Sequence, residues 1–459
     1  MNPFKFLVSF VILSLLGCSD PNEPESSEEG PSPVPEEKTT FVSAEQAADD
    51  LCEFMELLGA ETRSGRPRRI AEVVTLGGFA ETRAAGSTQD EPLVYLFNFA
   101  DDEGFALVSG DSRVGDVLAF VEEGNLDPEV GTDNPGFAIF LSRADTYYRL
   151  KTGLPVYDAD GNLVVLSDDD DGYDPDIDED YVEYSDWYNY YEAGERLACQ
   201  WGQGLPLNKH CSLDWDDEEY ENVRPLVGCA AVAVGQIMYH YGYDYTYNGT
   251  AYDWDVIRKF QTRPLDYWNE SHVLPPELEE PADMAARLLA DLGRSENLDM
   301  YYIPGHSGAS SENVPRTFRN FGYTKVGELV PFRYSHVLMT SRPTFVCGNA
   351  FRHTTLADPL LGIHTDRVSY SEGHAWVIDT NLHQRKDKYT YRYDGVLLKT
   401  EYEDRYFVHC NWGWWGSKDG YYAEAVFDTN AGPVMRTTID EGQSHYYRYN
   451  LEMITNIRP

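Results

Sequence analysis

Positive charge is scarce in this sequence: 36 Lys and Arg stand against 78 Asp and Glu, a formal net charge of −42. A chain with no surplus of cations to cluster on phosphates is excluded from nucleic-acid binding. Cysteine is sparse as well, seven in 459 residues, at positions 18, 52, 199, 211, 229, 347 and 410. No CxxC pair occurs among them, so neither a disulfide scaffold nor a cysteine-based zinc site follows. Nothing in the sequence asks for a metal or an organic cofactor. The N-terminal apolar run, residues 6–16 after Lys5, is too short to span a bilayer stably and reads as a signal peptide.

That run ends in Leu15-Leu16-Gly17-Cys18, which resembles a bacterial lipobox, with lipid carried on Cys18 after removal of residues 1–17. The alternative is an ordinary signal peptide with a chance cysteine. Residues 18–40 are rich in Pro, Ser and Glu and read as a flexible tether, consistent with attachment to a membrane through Cys18.

Residues 41–166 read as a small α+β domain. SAEQAADDLCEFMELLG has the capping pattern of Ser43 with Gln46, an apolar face of Ala44, Ala47, Leu51, Met55 and Leu58, and Gly59 as the stop. Three strand-like runs follow, LVYLFNF, GFALVSGD and VLAFVEEG, and then a helical stretch, residues 137–151, ending at Gly153. Residues 167–183 are strongly acidic and read as a linker, either a solvated, protease-accessible segment or a calcium loop, although the spacing does not match the EF-hand pattern. Residues 184–459 form the second domain.

The chemistry-bearing residues lie in that second domain. In PLVGCAAVAVGQIMYHY, Gly228 turns the chain and Cys229 opens a helix of small and apolar residues. Unsatisfied N–H groups and the helix dipole there favour a thiolate. In EGHAWVID, His374 follows Gly373 at the head of an apolar strand, 145 residues after the cysteine (374 − 229). This interval is compatible with the roughly 130 to 150 residues of papain-type enzymes. In RYFVHCNWGWWGSKDGYY, Asn411 is placed to orient the imidazole and Trp412 to shield it from water.

With these motifs the chain resembles the streptopain family of papain-like cysteine peptidases, bacterial secreted zymogens. Further similarity lies in WGQGLPLN, in RPTFVCG and in YLFNFADDEGFALVSGDSRVGDVLAFVEEG, the last similar to the family's inhibitory propeptide. The resemblance implies an α+β fold, a papain-like peptidase domain preceded by a small α+β inhibitory prodomain. It also implies that Gln203 completes the oxyanion hole with the backbone N–H of Cys229, and that Ser307 and Gly373 line the substrate cleft together with Trp412. Trp415, Glu372 and Leu207 depart from the family's usual glycine, glycine and tyrosine, and would act on substrate preference.

The expectation is an exported cysteine endopeptidase that hydrolyses protein or peptide substrates through a Cys229 thioester, with His374 as base and acid and its own prodomain as intramolecular inhibitor. Two alternatives use the same residues differently. One is a transglutaminase-like acyltransferase; the other is a non-catalytic surface adhesin on a peptidase scaffold.

Overall fold

A computed structural model describes residues 40–59, 66–76, 94–153, 156–157, 163–164, 181–211, 224–264, 267, 273–303, 306–338, 341–348, 361, 363, 373–392, 395–427 and 451–459. The expected signal peptide, Cys18, Glu372 and most of the expected tether and acidic linker lie outside the described residues.

Helix α1 (Ala44–Leu58) starts where Ser43 Oγ accepts a hydrogen bond from the Gln46 N–H at 3.2 Å. It ends at Gly59, whose φ of +61° is the left-handed conformation that closes a helix with little strain in glycine. Strands β1 (Ile70–Leu76), β2 (Val94–Phe99), β3 (Phe105–Ser109) and β4 (Val117–Val121) form an antiparallel sheet. Every residue of β2, β3 and β4 is buried, because both faces are covered. Alternate residues, among them Phe97, Phe99 and Phe120, meet Leu51 and Phe54 of α1. The others, among them Leu96, Phe105 and Leu107, meet Phe137, Phe140 and Leu141 of α2 (Pro135–Thr152). Double coverage explains why these strands read as continuous apolar runs.

The C-terminal half contributes β5 (Tyr181–Tyr184), β6 (Tyr188–Gly194), α3 (Cys229–Tyr241) and α4 (Pro276–Leu292). A hairpin of β7 (Tyr301–Ile303) and β8 (His306–Gly308) follows, then β9 (Val330–Pro331), β10 (Thr344–Gly348), β11 (His374–Tyr391), β12 (Leu397–Asn411), β13 (Gly420–Ala423) and β14 (Glu452–Ile454). Helix α3 packs between α4 and the strands β10 and β11, in a core built on Val232, Val234, Ile237, Leu289, Phe345 and Val377.

Among the described residues the two halves share one twelve-stranded sheet, in the order β1-β2-β3-β4-β13-β12-β11-β10-β14-β9, with β5 and β6 also on β11. The join is β4 on β13, where Val121, Phe120 and Ala119 face Gly420, Tyr421 and Tyr422. Gly420 is required at this seam: a β-carbon there would lie 2.2 Å from the Phe120 carbonyl oxygen. Buried Arg143 of α2 donates to the carbonyls of Val426 and Phe427, both at 3.0 Å, and Arg405 of β12 pairs with Asp116. Tyr181 already pairs with β11, so residues 181–183, at the end of the stretch that reads from sequence as linker, belong to the C-terminal part of the sheet. The sequence patterns place β2, β3, β4 and α2 within a few residues; β1 carries no clear strand pattern, since it is an edge strand with a single buried residue.

Candidate active site

Cys229 opens α3, and Gly228 before it has φ of +87°. A side chain at Gly228 would be strained by that conformation and would also strike Met300, whose Cε lies 2.1 Å from the position of a β-carbon. Cys229 is half-buried, and the backbone N–H groups of Ala375, Ala230 and Cys229 itself favour the charged form of its thiol. Burial is the larger effect and pushes the thiol above its ordinary value in this latent arrangement. Desolvation thus opposes the thiolate that the helix N-terminus is expected to favour.

His374 begins β11 after Gly373, whose φ is +95°. Its Nε2 lies 2.8 Å from the Trp412 carbonyl oxygen. Because a carbonyl only accepts, Nε2 carries the proton and Nδ1 is left as the basic nitrogen. Burial lowers the imidazole to about 4, so the ring is neutral. It stacks on Trp376 with ring centres 6.4 Å apart and planes 12° apart. Among the described residues no hydrogen bond joins His374 to Cys229.

Trp412, fully buried, is fixed at both ends. Its N–H donates to Asp419 Oδ1 at 2.9 Å, and its indole Nε1 donates to the Lys418 carbonyl at 2.9 Å and to the Tyr422 hydroxyl at 3.1 Å. Asp419, itself buried, is pushed up to about 7 by desolvation. Asn411 does not touch the imidazole. Its Oδ1 accepts from Gln236 Nε2 at 3.0 Å and from the Gly413 N–H at 3.1 Å, and its Nδ2 donates to the Cys199 carbonyl at 2.9 Å.

Gln203 is buried, and its carbonyl accepts from the N–H of Val227, two residues before Cys229, at 3.0 Å. Ser307 of β8 lies on the same side: its carbonyl oxygen is 3.6 Å from where a β-carbon on Gly228 would stand. Its hydroxyl is buried with no partner among the described residues. Trp415 adopts φ of +60° and lays its indole over Gly202, where a β-carbon would fall 2.3 Å from Trp415 Nε1. Arg263 stacks on the outer face of that indole at 4.7 Å. Leu207 is fully buried and Cys347 is buried with its thiol raised to about 12 by desolvation. The six described cysteines are free thiols.

The N-terminal domain covers this cluster. At the start of α2, Gly136 sits so close that a β-carbon would be 2.2 Å from Trp412 Cε3 and 3.0 Å from His374 Cδ2. Asn134 caps α2 through its Oδ1 and donates from Nδ2 to the Ser417 carbonyl at 2.6 Å. Lys418 Nζ donates to the Asn125 carbonyl at 3.2 Å, and its burial under this roof lowers the amine to about 8. Sequence reasoning missed Gln236, Asp419 and Gly136. A signal existed for Gln236, an amide in the otherwise small and apolar stretch of residues 230–238, since a buried polar group needs partners.

A helix-borne cysteine, a strand-borne histidine and a roof supplied by the chain's own N-terminal domain define the class: a cysteine peptidase held in latent, zymogen form. Residues 201–422 match the Peptidase C10 family, and residues 39–148 match the Spi protease inhibitor family. The chain is 23% identical over 81% of its length to the thiol protease/hemagglutinin PrtT of Porphyromonas gingivalis, of which it spans 37%. It is 24% identical over 82% of its length to streptopain of Streptococcus pyogenes, of which it spans 83%. A fragment of prointerpain A of Prevotella intermedia aligns at a TM-score of 0.47 and 19% identity, over 81% of this chain and 98% of that fragment. The chain is thus similar to streptopain and its relatives, cysteine peptidases, in its C-terminal part and to a protease-inhibitor family in its N-terminal part.

Proposed function

We propose that this protein is an exported cysteine endopeptidase, made as a zymogen and tethered through lipid on Cys18, that hydrolyses peptide bonds through a thioester on Cys229. The observation that carries the reading is the backbone of Gly136 seated on Trp412 and His374, the place an inhibitor of this site must occupy. Once the roof leaves, His374 Nδ1 takes the thiol proton and the sulfur attacks the substrate carbonyl carbon. The oxyanion is received by the Cys229 N–H and the Gln203 amide, worth about a hundredfold or more in rate. The C–N bond breaks as the imidazolium protonates the leaving amine. Water, deprotonated by the imidazole, then attacks the thioester, releasing the acid and restoring the thiol.

In this reading the Trp412 carbonyl holds the imidazole by its Nε2 proton, and Asn411 supports the loop from behind. Ser307, Gly373 and the rim of Trp412 line the substrate cleft. Residues 41–166 are the inhibitory prodomain, joined by the 167–183 linker to a peptidase domain that begins at about residue 184. Maturation cuts before Tyr181, because β5 and β6 pair with β11 and would stay with the peptidase. The experiment is casein digestion by the full chain and by Cys229→Ala. New N-termini with the first and none with the second support the reading, and casein crosslinks without new N-termini would replace it with acyl transfer to amines.

A further inference from the structure

Gln236 lies about two turns along α3 from Cys229, and its side chain is 0% exposed. A primary amide buried in an apolar helix face costs free energy unless its polar atoms are bonded, and here both are. Oε1 accepts from the Trp201 N–H at 2.9 Å and from the Cys199 thiol at 3.9 Å, while Nε2 donates to Asn411 Oδ1 at 3.0 Å. Asn411 closes the ring by donating to the Cys199 carbonyl at 2.9 Å.

Three chain segments meet in this ring. Helix α3 carries Cys229, the 199–203 segment carries Gln203, and the loop after Asn411 carries the Trp412 carbonyl that holds His374. We propose that Gln236 is a positioning residue that fixes the nucleophile, the oxyanion donor and the histidine-holding loop relative to one another through its amide. The proposal rests on the peptidase reading of Cys229. Its physical content is that catalytic groups must be held within about 0.5 Å of the productive geometry, and a misplacement of about 1 Å can cost about a hundredfold.

Glutamate at this position provides a test that a merely structural role would not satisfy. A protonated carboxyl offers one O–H donor and one carbonyl acceptor, as the amide does; a carboxylate only accepts and would face Asn411 Oδ1 with like charge. Burial raises such a carboxyl above its ordinary value of about 4.3, which brings the change into the assay range.

The experiment expresses the full-length chain, lets it mature, and reports kcat per cysteine titrated by an irreversible epoxide inhibitor. Gln236→Glu is expected to lose about tenfold or more in kcat above neutral pH. It should recover toward wild type as pH falls, with KM within about twofold throughout, while Gln236→Met should show a comparable loss at every pH. Wild-type kcat per titrated site in Gln236→Glu at all pH values, with merely fewer titratable sites, overturns the proposal. So does a loss in that variant that is flat with pH. If Gln236→Met does not fold, the isosteric Glu variant decides alone; if that variant yields no titratable thiol at low pH, where it mimics the amide, the proposal is also overturned. A wild-type chain with no titratable thiol and no casein cleavage fails the peptidase reading instead.

Discussion

Gly136 of the prodomain and Trp412 of the peptidase are in such close contact that a β-carbon on the glycine would lie 2.2 Å from the indole. Neither partner can yield readily. Gly136 is held in the first turn of a capped helix, and Trp412 is anchored through its N–H and its indole nitrogen.

Gly136→Ala therefore forces the start of α2 off the site. The unprocessed precursor carrying this change should hydrolyse a small fluorogenic peptide measurably faster than the unprocessed parent. Equal rates, with both chains shown intact by mass spectrometry, would mean that the contact does not enforce latency.

The grip of α2 on the peptidase also depends on Arg143, whose guanidinium donates to the carbonyls of Val426 and Phe427, just after β13. Charge-assisted hydrogen bonds of this kind contribute about 1.5–3 kcal/mol each. Arg143→Met in the Cys229→Ala background should shorten the half-time of prodomain removal by added mature enzyme, several-fold or more. An unchanged half-time would place the rate-limiting opening elsewhere.

Two buried groups give the latent form opposed pH dependences. His374, lowered to about 4 by burial, is neutral while an exposed imidazole would be protonated. Its contribution to stability is present above pH 6.5 and is lost as pH falls toward 4. Asp419, raised to about 7, does the reverse: its contribution is present at low pH and is lost as pH rises from about 4 to 7. In the Cys229→Ala precursor, Asp419→Asn should remove the second effect and leave the first unopposed. Urea midpoints between pH 4.5 and 7.5 should fall more steeply with acidification in that variant than in its parent; a parallel or shallower fall contradicts the assignment.

Much of this architecture was legible in the sequence. The capped helix α1, the three apolar strands and α2 follow from local periodicity and punctuation, and Cys229 and His374 stand out because each follows a glycine at the head of a regular element. What local pattern does not carry is contact between distant segments. The pairing of β4 with β13 brings residues about 300 apart into register, and neither strand reads differently for it. Asn411 was readable as a partner for the imidazole by its place in the chain, yet its amide faces Gln236 and Cys199. Its side-chain direction depends on three-dimensional packing that spacing does not encode. The upward push on the thiol is also a tertiary effect: the helix N-terminus is visible in sequence, while the burial that opposes it is not.

The most direct test of the account is time-resolved mass spectrometry of purified wild-type and Cys229→Ala chains, with peptidase activity measured on the same samples. The wild-type chain should convert to a species of about 30 kDa as activity appears, with the cut falling before Tyr181. Cys229→Ala should remain uncut and inactive until a trace of mature enzyme is added. Self-conversion or casein cleavage by Cys229→Ala, or an intact precursor as active as the converted form, would contradict the account of a latent cysteine peptidase released by its own chemistry.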